Sequence, residues 1–230
     1  MDFSQINIKV AAVQYVILLL SLSVHEASHA WTANRFGDPT AKALGRISLN
    51  PIVHIDLVGT VIFPLIQFLT PLPVIGWAKP VPVNPLNLKD PRKDDLWISF
   101  SGPASNIMLG MVFFGIAFFL LKTGILWPYG QANTVTHLIL TFLAYGIFIN
   151  FLLAGFNLLP IPPLDGSGVL MGILPESTAA QIEKIAPYGF LILIVLLFMG
   201  LLRYILYPIF LFLGILTKIA GIEIIFRFIG

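Results

Sequence analysis

No cysteine occurs in the 230 residues, so disulfide staples, thiolate metal ligands and a cysteine nucleophile are all excluded. Charge is nearly as scarce. Charged residues make up 10% of the chain, against about 25% in a typical soluble domain. Hydrophobic residues make up 57%, and the mean hydropathy is +0.92. Such a composition reads as a multi-pass membrane protein whose immediate partner is the lipid bilayer. The net charge of +2 is too small to suggest a nucleic-acid partner. The 13 basic residues are better read as markers of membrane orientation. Internal repeats and low-complexity tails are lacking. The first apolar run leads into a polar helix rather than to a small-residue cleavage site, so no cleavable signal peptide is expected. The chain reads as one integral-membrane domain over residues 1–230.

Histidine is rare too, with four in the chain, yet two of them stand together in Val24-His25-Glu26-Ala27-Ser28-His29-Ala30. On a helix, residues four apart share a face, so both imidazoles can grip one cation with Glu26 beside them. This is the H-E-x-x-H pattern of zinc hydrolases. The purely apolar stretch before it, residues 10–24, falls short of the ~20 residues that cross a hydrocarbon core, so the spanning helix must include the motif. Continued to Asn34, before Arg35, Gly37 and Pro39 end it, that helix holds the histidines roughly 8 to 15 Å inside its polar end. A polar face at such depth must turn towards protein or water rather than lipid.

Further along, residues 57–75 are apolar but interrupted by Pro64, Pro71 and Pro73, which predicts a kinked or re-entrant element. Residues 77–84 alternate with prolines and predict a short extended edge strand able to accept another strand. Two clean spans follow at 98–121 and 135–156, then a C-terminal apolar hairpin or long span over 187–229 interrupted by Arg203, Tyr204 and Pro208. The expected fold is an all-α membrane protein, a polytopic helical bundle of about five or six transmembrane segments with a proline-broken re-entrant segment and the edge strand.

A catalytic zinc site takes three protein ligands and keeps a fourth position open. His25 and His29 supply two. Pro160, Pro162 and Pro163 cannot stay helical, so the segment from Asn157 to Gly166 must line a protein cavity, which gives Asp165 a protected polar place. Asp165 is the best third candidate and His54 the rival. For His54, a hydrogen bond to a loop carbonyl is the plainer reading, and a supporting role behind the ligands is the alternative.

Taken together, His25-Glu26-x-x-His29, Gly102-Pro103-x-x-Asn106 at a span entrance, and Asn157-x-x-Pro160 leading to Leu164-Asp165-Gly166 resemble the site-2 protease family of intramembrane zinc metalloproteases. The resemblance covers residues 8–175, and the chain is similar to the short branch lacking a PDZ domain. It implies Zn2+ held by His25, His29 and Asp165, Glu26 as catalytic base, and Asn157 positioning the substrate or stabilising the tetrahedral intermediate. The implied enzyme is a zinc metalloendopeptidase that hydrolyses peptide bonds within or near transmembrane segments of membrane-protein or peptide substrates. A membrane metal-ion or proton transporter using the same His/Asp cluster is the alternative, and it predicts flux without cleavage.

Topology follows from requiring the three ligands to meet. If residues 57–75 do not cross, connections 35–56 and 76–97 share a face. They carry Arg35, Lys42, Arg46, Lys79, Lys89, Arg92 and Lys93, whereas 122–134 carries Lys122 alone. The positive-inside rule then makes the first face cytoplasmic in the cell membrane and puts the active site nearer that side.

Overall fold

The computed structural model describes residues 8–69, 76–126 and 134–228, and among these no β-strand occurs. In chain order the helices are α1 (Ile8–Phe36), α2 (Thr40–Ala43), α3 (Phe63–Leu69), α4 (Pro91–Lys122), α5 (Thr134–Asn157), α6 (Asp165–Ile173), α7 (Glu176–Glu183), α8 (Gly189–Phe198) and α9 (Leu202–Ala220). Five stretches of the described residues are long and apolar enough to cross a membrane: α1, α4, α5, the run Glu176–Phe198 and α9. The chain is a multi-pass helical membrane protein.

Its centre is the trio α1, α4 and α5. Asn106 reaches Ser21 and His29 reaches Ile98, so α1 and α4 run antiparallel. Asn106 also meets Asn150, and Phe113 meets Phe142, so α4 and α5 are antiparallel as well. The carboxyl ends of α1 and α5 therefore lie on one face, beside the start of α4. Close approach depends on small residues, as between helices in lipid: a Cβ at Gly146 would stand 2.6 Å from the Phe113 ring. At the opposite end Ile17, Phe113, Ala117, Leu140, Ala144 and Ile147 form an apolar cluster with Leu213 of α9 and Ile222 and Ile225 after it.

Helix α4 begins two turns earlier than its apolar run. Asp90 caps it by accepting from the Lys93 amide, and Asp94 accepts from the Asp90 amide. Pro91 occupies the first turn, where its missing N–H leaves no bond unmade. Pro103 lies inside the same helix without ending it.

Two expected features are corrected. Residues 77–84 form no strand. The Trp77 amide donates to Gly59 O and the Lys79 amide to His54 O, isolated anchors to two separate helical turns, while Pro80 and Pro82 have no N–H to continue a ladder. The proline-broken re-entrant segment is likewise unsupported. Over its described part a wide helical turn, Leu57–Ile62, runs directly into α3, and Pro64 lies inside this continuous helical run without ending it. Pro71 and Pro73 lie outside the described residues. Since α1 and α4 are antiparallel and adjacent, residues 37–90 begin and end on one face and make no net crossing. At the C-terminal end, a turn at Gly200 with φ 68° separates α8 from α9.

Candidate active site

His25 and His29, one helical turn apart on α1, are both buried, and their rings meet edge-on with centroids 4.6 Å apart. Each ring is fixed through Nδ1. His29 Nδ1 lies 2.7 Å from Ile98 O, a carbonyl that can only accept, so this nitrogen carries the hydrogen. His25 Nδ1 lies 2.6 Å from Asn106 Oδ1. The orientation of that amide is set by backbone: Asn106 Nδ2 donates to Ser21 O at 3.2 Å and to Asn150 Oδ1 at 2.9 Å, and Asn150 Nδ2 donates to Gly146 O at 2.8 Å. In neutral imidazoles both Nε2 atoms are then bare lone pairs.

The third group arrives from α6. The turns after α5 carry Pro160, Pro162 and Pro163 and deliver Asp165 as the first residue of α6, which packs along the first turns of α4. Asp165 Oδ2 stands 3.1 Å from His25 Nε2 and 3.4 Å from His29 Nε2, while the two Nε2 atoms are 3.0 Å apart. Asp165 Oδ2 is buried without a hydrogen-bond partner. With both imidazoles neutral, the three atoms face one another as acceptors and repel, and a cation at their centre removes that repulsion. Their spacing matches the ~3.3 Å edge of a tetrahedron whose metal–nitrogen bonds are about 2.0–2.1 Å. His25, His29 and Asp165 thus fit a metal ion. Gly102 is what lets α4 pass so close, because a Cβ there would overlap the His29 ring and stand 2.7 Å from His25 Cε1.

The group opens on a cavity of about 810 Å3 lined also by Glu26, Asp95, Asn157 and the segment from Gly76 to Val83. Glu26 is buried on α1 next to His25. Asn157, the last residue of α5, donates one amide hydrogen to Leu153 O at 3.0 Å. His54 does not join the ligand group. Its Nε2 donates to Ser48 O at 2.8 Å, and its Nδ1 accepts from Arg46 Nη2 at 3.4 Å. Arg46, which sequence reasoning read only as a topology marker, is buried and also donates to Lys79 O. Lys79 is therefore held through its amide by His54 O and through its carbonyl by Arg46, which fixes the cavity wall. Burial lowers the Arg46 guanidinium from its ordinary value, against the opposing influence of the Glu26 charge. Asn150 was missed as well; a lone amide in an apolar span was the signal available.

A helical multi-pass protein in which two histidines and an aspartate that could hold a metal ion meet at the mouth of a cavity defines the class. The sequence model of peptidase family M50 matches residues 13–137 and 121–199, and the chain belongs to that family, the site-2 proteases. It is 37% identical over 195 residues to "Putative zinc metalloprotease YwhC" of Bacillus subtilis, covering 84% of this chain and 83% of that protein. It is 31% identical over 179 residues to "Putative zinc metalloprotease Rip2" of Mycolicibacterium smegmatis, covering 78% of this chain and 64% of the relative. A shorter match, 40% identical over 73 residues, links it to "Putative zinc metalloprotease MJ0611" of Methanocaldococcus jannaschii, covering 32% and 31%. No solved structure matches.

Proposed function

We propose that the chain is a zinc metalloendopeptidase that cleaves peptide bonds within or near the transmembrane segments of membrane proteins. The observation that carries this reading is the convergence of His25 Nε2, His29 Nε2 and Asp165 Oδ2, 3.0 to 3.4 Å from one another, on a cavity that Glu26 and Asn157 also line. Zinc held by His25, His29 and Asp165 would acidify a water molecule towards a pKa of about 7 and polarise the peptide carbonyl. Glu26, beside those three residues but not among them, is placed to take a proton from the attacking water as its oxygen adds to the carbonyl carbon. When the C–N bond breaks, Glu26 returns the proton to the departing amine, leaving a carboxylate on one fragment and an amine on the other. Asn157 keeps one amide hydrogen beyond its bond to Leu153 O and offers it to the carbonyl oxygen as charge builds there.

The test is incubation of the purified protein with single-span peptides, with and without a chelator, beside Glu26→Gln. Cleavage that the chelator abolishes, together with a Glu26→Gln protein that retains zinc but is slowed about 10²- to 10⁴-fold, supports the reading. Ion flux in vesicles with no peptide cleavage would replace it with transport.

The cavity is proposed to lie nearer the cytoplasm in the cell membrane. The face bearing residues 37–90 and the start of α4 carries Lys42, Lys79, Lys89, Arg92 and Lys93, and basic residues mark the cytoplasmic side. Leu86 and Ile125 are both exposed, on opposite faces, and the chain has no native cysteine. Leu86→Cys should react with an impermeant reagent only from the cytoplasm and Ile125→Cys only from outside; the reverse pattern inverts the orientation.

A further inference from the structure

Three aspartates open α4, and two are engaged. Asp90 caps the helix and pairs with Lys93 at 3.0 Å, and Asp94 accepts from the Asp90 amide. Asp95 has neither task. It lies beyond the first turn, where helix-end charge effects fade, and it makes no hydrogen bond or ion pair among the described residues. The cations beside it are committed elsewhere, Arg92 to Met171 O and Lys93 to Asp90. Yet Asp95 is half-buried and lines the cavity that holds the ligand group. Its Oδ2 rests against α6, 3.3 Å from where a Cβ on Gly168 would stand.

Position gives this carboxylate a use. Gly102, against the His25 and His29 rings, lies two turns further along α4, so Asp95 sits about 10 Å nearer the polar end of the helix at 1.5 Å per residue. An extended peptide covers that distance in about three residues. The same polar end is the basic, cytoplasmic face, and a substrate span oriented by the same rule carries its own Lys or Arg just beyond that end. A long basic side chain can lay its stem along the apolar cavity wall and present its charge to the carboxylate.

We infer that Asp95 is a specificity-determining residue that receives a juxtamembrane Lys or Arg of the substrate about three residues from the bond to be cut, on the cytoplasmic side. The substrate class is then single-span proteins whose basic flank lies within one short extended segment of the scissile bond. This rests on the protease reading above, so binding and cleavage are measured separately.

Peptides of one transmembrane sequence, with a single Lys, Leu or Glu moved stepwise along the cytoplasmic flank, are titrated against the full-length Glu26→Gln protein. The same peptides are offered to the wild type for cleavage. At one register the Lys peptide should bind roughly tenfold tighter than the Leu peptide, the scale of one charge-assisted hydrogen bond, and the Glu peptide more weakly than both. Adding Asp95→Asn should erase the difference, Asp95→Glu should keep it, and Asp95→Lys should reverse it in favour of Glu. Retained zinc content in each variant shows that the fold is intact. A Lys preference that survives Asp95→Asn, or no preference at any register, overturns the inference. Cleavage without preference leaves the protease reading standing while this one falls; a preference in binding with no cleavage does the opposite.

Discussion

Along the same three helices, two ends of one bundle are held by different means. Away from the site, α1, α4 and α5 meet through Ile17, Phe113, Ala117, Leu140, Ala144 and Ile147, all buried and apolar. A turn or two further, the contacts become Ser21 with Asn106, Asn106 with Asn150 and His25, and His29 with Ile98. In lipid the hydrophobic effect does not drive helices together, so shape holds the first end and hydrogen bonds hold the second. The consequence is functional. A packed end tolerates any side chain of the right volume, whereas the polar end has no water to replace a lost partner and therefore fixes each ring in one orientation.

The largest contrast comes from removing one side chain at each end. Asp165→Ala should abolish zinc binding and reduce peptide cleavage to background. Leu140→Ala should lower stability by about 2–5 kcal/mol, as deletion of a fully buried leucine does, while the folded fraction keeps a full complement of zinc. Metal analysis and detergent unfolding of the two variants read this directly. Zinc retained in Asp165→Ala would remove it from the ligand set, and zinc lost in Leu140→Ala would deny that the two ends act separately.

One methyl group sharpens the same contrast within α4. Gly102→Ala places a carbon into the His25 and His29 rings, whereas Gly115→Ala meets nothing within 4 Å. The first variant should lose metal and activity together, and the second should match the wild type in both. Equal behaviour would mean that the rings can step aside.

Smaller again is the effect of Asn150, which touches no ligand and acts through Asn106. Asn150→Leu leaves Asn106 Nδ2 with one acceptor fewer and loosens the amide that holds His25 Nδ1. Loss of such a supporting partner weakens metal binding by about 10- to 100-fold. Competitive chelation should show that loss, and a cobalt-substituted protein should show an altered visible spectrum. An unchanged spectrum with unchanged affinity would reduce Asn150 to a helix contact.

What the sequence made legible follows the same division. His25, Glu26 and His29 were readable because helical spacing alone places them, and Asp165 because three prolines preclude helix before it. The membrane class and its long spans were readable from hydropathy. Asn106 was visible as part of a motif at a span entrance, but its bond to His25 and its link to Asn150 join residues 44 to 81 apart in sequence, and no local pattern encodes such a pairing. The strand expected at 77–84 failed for a related reason: alternation describes a strand only where a neighbour completes the ladder, and here the neighbours are two helical turns. Pro64 misled because it removes one helical donor without ending the run from Leu57, and the Gly59 carbonyl behind it accepts from the Trp77 amide instead.

The smallest expected effect lies outside the bundle, where water is present and charge replaces both packing and neutral hydrogen bonds. Asp38 follows α1 and is buried. Its Oδ1 accepts from the Thr40 amide and hydroxyl and from Asn87 Nδ2 at 3.1, 2.5 and 2.8 Å, and its Oδ2 accepts from the Asn84 amide at 2.7 Å. One carboxylate thus ties the end of α1 to the segment that walls the cavity and leads into α4. Burial by itself would raise this carboxyl; the hydrogen bonds from Asn87, Thr40 and Asn84 outweigh it and hold the group below its ordinary value of 3.8. A carboxyl lowered in the folded state contributes stability above its unfolded value, and the contribution is lost as pH falls through the lowered folded value. Asp38→Asn should therefore melt below the wild type near neutral pH, and the gap should close as the pH is taken below 3.8. A gap that stays constant through acid would show that shape rather than charge makes this tie.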